Sequence, residues 1–347
     1  MPLRKMNLVG FITFLVILFI VLLIIALTPT PMNTDTKNVP TEDLNSKSSD
    51  ASISIKLTED GWLSKNDSNK IKVMSFNVKN GGEGINAVDI RQPRVLELFQ
   101  NYYPDLIGYQ EVTKEWIDWF SSDAFSELYA FYGKPRDPSK SSSEYSLIMY
   151  NYKKFTLLDS GDFWLNEEVL SDPTSSSTAI GWDAALPRCC SWIKLEDIST
   201  KTQFVIMNVH FDHKGMQAII HSAELMLKMA DLWDVPVIIT GDFNSSEYTG
   251  AYDILTSGNY DNTKYIAQTT MSWATSPGFY KKGTQFGEVI DHILIRKNTF
   301  VADSYSVITQ DFGGGRVSDH YPVISELIYW HEERAKELES AIGIFKI

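Results

Sequence analysis

Four apolar runs in this chain stop at side chains that bind cations or phosphates, and a fifth such group stands just before the last apolar run. Residues 71–76 end at Asn77, and residues 106–110 end at Glu111. Residues 204–208 lead to His210 and Asp212, and 237–241 open into Asp242 and Asn244. A glycine-rich stretch precedes Asp319 and His320, just before the last apolar run. Carboxylates and amides suit a hard, oxygen-preferring cation such as Mg²⁺, with Mn²⁺ as an alternative. Histidines hydrogen-bond phosphate oxygens and move protons near neutral pH. No HExxH or CxxC spacing occurs, so the donor set does not point to zinc. Each residue alone has an ordinary reading: Gly-Asp-x-Asn is often only a turn, and an Asp such as Asp319 only a cap. Their joint occurrence and order carry the chemistry.

Such ends meet only where strands lie side by side, so that loops assemble a site on one edge of a rigid sheet. Alternation at period two predicts a strand over 71–77, and Val95, Leu98 and Phe99 at helical spacing predict a helix over 91–102. Further strands are expected at 145–150, 190–195, 204–210, 236–240, 289–295 and 322–327, with a helix over 216–233. The pattern is mixed α/β, without a GxGxxG or a P-loop. Residues 313–315 lack the Lys-Ser/Thr of a Walker motif and read as a loop.

The 347 residues carry 31 basic and 44 acidic side chains, a formal charge of −13. That balance argues against coating nucleic acid by bulk charge, which needs clustered Lys and Arg, but permits one local phosphate site. The two cysteines, Cys189 and Cys190, are adjacent and offer no disulfide framework; a buried, inert pair is expected. Residues 8–27 form an uncharged apolar run of spanning length, with Arg4 and Lys5 before it. Residues 1–28 therefore read as a cytoplasmic stub and single membrane anchor, with the remainder outside the cytoplasm; a cleaved signal peptide is the rival. Residues 29–70 are polar enough to read as a flexible tether, 71–330 as the catalytic domain, and 331–347 as a C-terminal tail.

Six pieces stand in order between residues 71 and 327: Ser75-Phe76-Asn77-Val78, Gln110-Glu111-Val112, Asn208-Val209-His210-Phe211-Asp212-His213, Gly241-Asp242-Phe243-Asn244, Ile290-Asp291-His292-Ile293 and Ser318-Asp319-His320-Tyr321-Pro322-Val323. The set resembles the endonuclease/exonuclease/phosphatase (DNase I-like) superfamily, and within it a prokaryotic subgroup of unnamed substrate. The resemblance implies a four-layer αββα sandwich of two mixed β-sheets. It implies Glu111 as principal metal ligand, helped by Asn77, with Asp319 on the metal side. It further implies Asp242 orienting or deprotonating the attacking water, Asn244 beside it, and His210 and His320 on the phosphate. Asp291 would pair with His320 and fix its tautomer. Asp212 and His213 would support or contact substrate; Arg188 and Arg316 are candidates to meet a second substrate phosphate, with a solvated or structural role as the alternative for each.

The activity so implied is Mg²⁺-dependent hydrolysis of a phosphodiester by in-line water attack, nuclease-type first. A phospholipid or sphingomyelin headgroup, or a small phosphate ester, is the alternative substrate, since a fold does not choose among them. No protein partner is implied. A non-catalytic binding protein on the same fold is the rival class, but such a protein has little reason to keep the whole set of carboxylates and histidines.

Overall fold

The computed structural model describes residues 56–330, apart from Ser68 and Phe286. Its strands are β1 (Ile71–Asn77), β2 (Leu106–Val112), β3 (Tyr129–Tyr132), β4 (Tyr145–Asn151), β5 (Phe155–Trp164), β6 (Cys189–Asp197), β7 (Gln203–His210), β8 (Val237–Asp242), β9 (Tyr260–Asn262), β10 (Thr269–Met271), β11 (Asp291–Arg296), β12 (Phe300–Val307) and β13 (Val323–Tyr329). They form two mixed sheets. One has the order β10-β12-β13-β1-β2-β4-β3 and the other β5-β6-β7-β8-β11-β9. The neighbours β1/β2 and β7/β8 run parallel, while β1/β13 and β8/β11 run antiparallel.

Side-chain alternation sorts the residues of each strand into layers. In β1, Ile71 and Val73 join the apolar layer between the sheets, and Met74 and Phe76 face the helical layer with Val95, Leu98, Phe99 and Trp116. In β7, Phe204 and Ile206 point between the sheets, while Val205, Met207 and Val209 pack with Leu225 and Met226 of helix Met216–Ala230. The result is a sandwich of two sheets with helices outside, as the family resemblance implies. Strands β3, β5, β9, β10 and β12 were not among those expected from the sequence; β5 is largely exposed or half-buried along its middle, which masks its period.

Along the inner layer the same alternation turns from aliphatic to polar toward one edge. Beyond Val73, Ile206 and Ile238 come Ser75, Gln110, Asn208 and Thr240, all fully buried. Asn208 Oδ1 accepts from Gln110 Nε2 (2.7 Å) and Thr240 Oγ1 (3.1 Å), and its Nδ2 donates to the Tyr109 carbonyl (2.7 Å). This network bridges β2 of one sheet to β7 and β8 of the other. It is close because residue 108 is glycine: a Cβ there would lie 2.0 Å from Thr240 Oγ1 and 2.5 Å from Asn208 Oδ1. Gly108→Ala should therefore lower stability by about 1–3 kcal/mol through overpacking. Urea unfolding checks this; an unchanged midpoint would mean the sheets spread freely at that point.

The expected tether, 29–70, is corrected at its C-terminal end. Leu57 is fully buried, Thr58 caps helix Glu59–Leu63, and Trp62 Nε1 donates to Asp105 Oδ1 at 2.8 Å. Two apolar side chains in a polar stretch are enough to dock it, and composition averaged over the segment hides them. The expected anchor and the tail 331–347 lie outside the described residues. No helix among the described residues is long and apolar enough to cross a membrane.

Candidate active site

One further step along the polar edge of the inner layer reaches the site. Asn77, His210 and Asp242 each follow the network residues by two positions, so alternation keeps them on the same face. Strand register sets His210 opposite Asp242, and Asp242 opposite Asp291. Glu111 arrives differently. Its φ is +59°, and the β2/β4 register shifts between Tyr109 and Val112, a bulge that re-aims the side chain. Asn244 adopts φ +44°, a turn that Asn tolerates, and its N–H donates to Asp242 Oδ1 at 2.9 Å.

The side chains hold one another in place. Asn77 Nδ2 donates to Glu111 Oε1 (3.0 Å) and to Asp242 Oδ2 (3.0 Å). His320 Nδ1 lies 2.9 Å from Asp291 Oδ2, and its Nε2 lies 3.8 Å from Asp242 Oδ2. His210 Nε2 is 3.6 Å from the same oxygen. Thr275 Oγ1 accepts from the Ile290 and Asp291 N–H groups, fixing the start of β11. Buried Arg91 donates to the carbonyls of Val78, Lys79, Gly81, Asn86 and Val317, tying the loop after β1 to the segment before Asp319.

Burial and the Asp291 carboxylate push Asp242 up to about 6, poised to take a proton near neutral pH. Burial alone would push His320 down, but the Asp291 and Asp242 carboxylates outweigh it and hold the imidazolium at about 10. Burial and the nearby Arg188 push His210 well below its ordinary value, so this imidazole is neutral. Burial opposes ionisation of Glu111, yet the Lys79 ammonium and the Asn80 N–H keep it below the ordinary carboxylate range.

Lys79 Nζ sits 3.4 Å from Glu111 Oε2 and 3.6 Å from Asp319 Oδ2. An ammonium drawn between two carboxylates marks a place that favours a cation, and oxygen donors of this kind fit a divalent hard metal. Asp242, Asp291 and His320 also offer atoms within 4.8 Å of one another. That trio fits a metal less well, because His320 Nδ1 is engaged by Asp291 and the ring is cationic. Glu111 and Asp319, with Asn77 beside them, are the better donors.

These groups line a cleft of about 360 Å³ whose walls are Lys79, Asn80, Glu111, Arg136, Glu144, Leu186, Arg188, His210, His213, Asp242, Asn244 and His320. Asp291 stands behind His320, and Asp212 behind Arg188. Asn77 and Asp319 are not in the lining either, but touch it through Glu111 and Lys79, whereas Arg316 is turned away. It does not line the cleft: its Nε pairs with Asp311 (3.0 Å), its Nη2 donates to the Lys281 carbonyl, and its guanidinium lies over Tyr321. Residues missed from sequence are Lys79, Asn80, Arg136 and Glu144. The first two adjoin the Asn77 motif, while Arg136 and Glu144 sit in a loop with no local signal. The cysteines are both buried, and burial pushes the Cys189 thiol up to about 12, consistent with an inert pair.

A two-sheet α/β sandwich with paired carboxylates and histidines on one sheet edge defines a class of phosphoester-cleaving folds, and comparison with known proteins places the chain within it. A family model described as the Endonuclease/Exonuclease/phosphatase family matches residues 229–320. A crystal structure of an endonuclease/exonuclease/phosphatase family protein from Bacteroides thetaiotaomicron is 30% identical, with TM-score 0.67, covering 75% of this chain and 98% of that one. The mannosyl-6-phosphatase of Bacteroides thetaiotaomicron VPI-5482 is also 30% identical, with TM-score 0.67, over 75% of this chain and 100% of that one. The D. rerio TDP2 structure complexed with a single-strand DNA product shares the fold at 16% identity and TM-score 0.56, over 74% and 98% of the two chains. No curated protein sequence matches. The chain belongs to the endonuclease/exonuclease/phosphatase family, whose members generally hydrolyse phosphoester bonds.

Proposed function

We propose that this chain is a divalent-metal-dependent hydrolase of a small phosphate ester, acting by in-line attack of water. One observation carries the substrate choice. The cleft is compact, within the range of small-molecule sites, and among its lining residues there is no Phe, Tyr or Trp on which a base would stack. The likeness to a mannosyl-6-phosphatase points the same way, toward a phosphorylated sugar. The acidic formal charge also disfavours a long nucleic-acid contact.

In this reading Asp242, held by Asn77 and the Asn244 N–H, orients the water and takes its proton. His320, kept cationic by Asp291, and neutral His210 donate to phosphoryl oxygens, where negative charge builds. Asn244 steadies the phosphoryl group beside Asp242. Glu111 and Asp319, with Asn77, would hold Mg²⁺ or Mn²⁺, which supplies Lewis-acid neutralisation of the phosphate when bound.

The test uses the full-length chain with Mg²⁺ on a panel: mannose 6-phosphate, p-nitrophenyl phosphate, bis-p-nitrophenyl phosphate, single-stranded DNA and sphingomyelin vesicles. Turnover of the small esters should exceed that of the polymer and lipid. Turnover confined to DNA would restore the nuclease-type substrate first expected, and turnover confined to vesicles a headgroup phosphodiesterase. The uncharged run 8–27 behind Arg4 and Lys5 supports a single-pass anchor with the domain outside the cytoplasm. Release of the chain from membranes by alkaline carbonate would sink that placement.

A further inference from the structure

The cleft has two ends. At one, His320, Asp242 and Asp291 form the reacting group. At the other, beyond His210, stand Arg188 and His213 from one sheet's loops and Asn80, Arg136 and Glu144 from the other's. A small recess of about 10 Å³ adjoins this second end; Arg136, Glu144, Arg188 and His210 line it again, together with the Glu111 carboxylate and Tyr145. It has room for roughly one water or one substrate oxygen.

Arg188 is built into that end as a fixed donor. Its side chain is only 4% exposed. Nε donates to Asp212 Oδ2 at 3.4 Å, and Nη2 lies 3.1 Å from His213 Nδ1. Asp212 is itself fixed, its Oδ1 accepting the Lys214 and Gly215 N–H groups at 2.9 Å each. The third nitrogen, Nη1, is buried and has no hydrogen-bond partner among the described residues. Arg136, by contrast, is consumed by a two-pronged pair with Glu144, at 2.9 and 3.0 Å.

A buried guanidinium nitrogen without an acceptor carries a desolvation cost that a bound oxyanion relieves. A phosphodiester offers two non-bridging oxygens, and a phosphomonoester dianion offers three. Glu111 and Asp319 would hold the cation that neutralises the phosphoryl group, and His210, His320 and Asn244 would donate to its oxygens. The Arg188 edge is the charged donor left for the oxygen that a diester has capped with carbon.

Resting on the hydrolase reading above, we propose that Arg188 binds a phosphoryl oxygen through Nη1 and thereby selects a phosphomonoester over a phosphodiester.

The experiment takes the full-length chain, its Arg188→Met variant and its Arg188→Lys variant, with thermal melting to confirm folding. Inorganic phosphate binding is followed by calorimetry in the presence of Mg²⁺. Kinetics are measured on p-nitrophenyl phosphate and bis-p-nitrophenyl phosphate. The dissociation constant for phosphate should rise at least tenfold in Arg188→Met and less in Arg188→Lys, which keeps the charge but loses the fork. The monoester-to-diester ratio of kcat/KM should fall at least tenfold, mainly through the monoester KM. Unchanged phosphate affinity in either folded variant, or equal losses on the two esters, overturns the assignment. Unmutated protein that binds phosphate yet hydrolyses neither ester strikes the hydrolase reading instead, and the binding comparison still decides the role of Arg188.

Discussion

Asp242→Asn should lower kcat by about 10²–10⁴-fold, the usual contribution of a positioned general base. The substitution keeps the size and the acceptor for the Asn244 N–H; it removes the ability to take a proton from water and, with Oδ2, the acceptor of the Asn77 Nδ2 bond. Folding should survive, because Asp242 is a carboxylate held up at about 6 by burial and by Asp291, and removing its charge relieves that penalty. The variant should remain folded, with relief of the buried charge set against the lost Asn77 Nδ2 bond. The pH profile supplies the second readout. Only ionised Asp242 accepts a proton, so kcat/KM in the parent should climb as pH rises through about 6 and then level. In the variant that limb should vanish. Stopped-time assays on p-nitrophenyl phosphate from pH 4.5 to pH 8, a range chosen on the order of two units either side of the midpoint, separate the two cases. Full activity in Asp242→Asn would remove this residue from the reaction.

Much of this arrangement is legible in the sequence alone. Asn77, His210 and Asp242 end strands whose apolar members alternate, so the same period that buries Val73, Ile206 and Ile238 between the sheets carries the polar residues to that layer's edge. The pairing of Asp291 with His320 came with the family motifs and is present at 2.9 Å. What the sequence hid is non-local. Glu144, paired with Arg136, meets Asn80 across 64 residues of chain through an Asn80 Nδ2–Glu144 Oε1 bond of 2.7 Å, and neither Arg136 nor Glu144 sits in a periodic segment. The bulge at Glu111 depends on a register shift against β4 that no composition announces. Arg316 takes the structural role that stood beside substrate contact as a reading of the sequence. Asp311 and the Tyr321 ring hold its guanidinium, and nothing in the local sequence announces either partner.

The arrangement also explains why a strained edge is tolerated. Glu111 and Lys79 both hold positive φ, at +59° and +61°, which costs of order 1–3 kcal/mol per residue. Arg91 offsets this by collecting five carbonyls of the surrounding loops on one buried guanidinium that also lies over the Trp116 ring at 5.1 Å. The carboxylate that would hold the metal is thus aimed by backbone conformations that local packing fixes beforehand, which is what a preorganised site requires.

Metal removal is the other large effect. Chelation with EDTA should reduce turnover to background, a loss of about 10³-fold or more if the cation supplies several kcal/mol of charge stabilisation, and Mg²⁺ or Mn²⁺ should restore it. The structure gives a way to test the ligand assignment apart from activity. Lys79 Nζ lies 3.4 and 3.6 Å from the Glu111 and Asp319 carboxylates, so a divalent ion on the same oxygens would compete with that ammonium. Glu111→Gln should therefore weaken Mn²⁺ binding, read by calorimetry or by Mn²⁺ electron spin resonance, by at least tenfold. Lys79→Met should strengthen it, because the competing charge is gone. If Mn²⁺ affinity ignores Glu111 but collapses in Asp291→Asn, the cation belongs instead with the Asp242, Asp291 and His320 trio. Turnover that persists in chelator would mean that Lys79 itself, lodged between the two carboxylates, is the cation this chain uses.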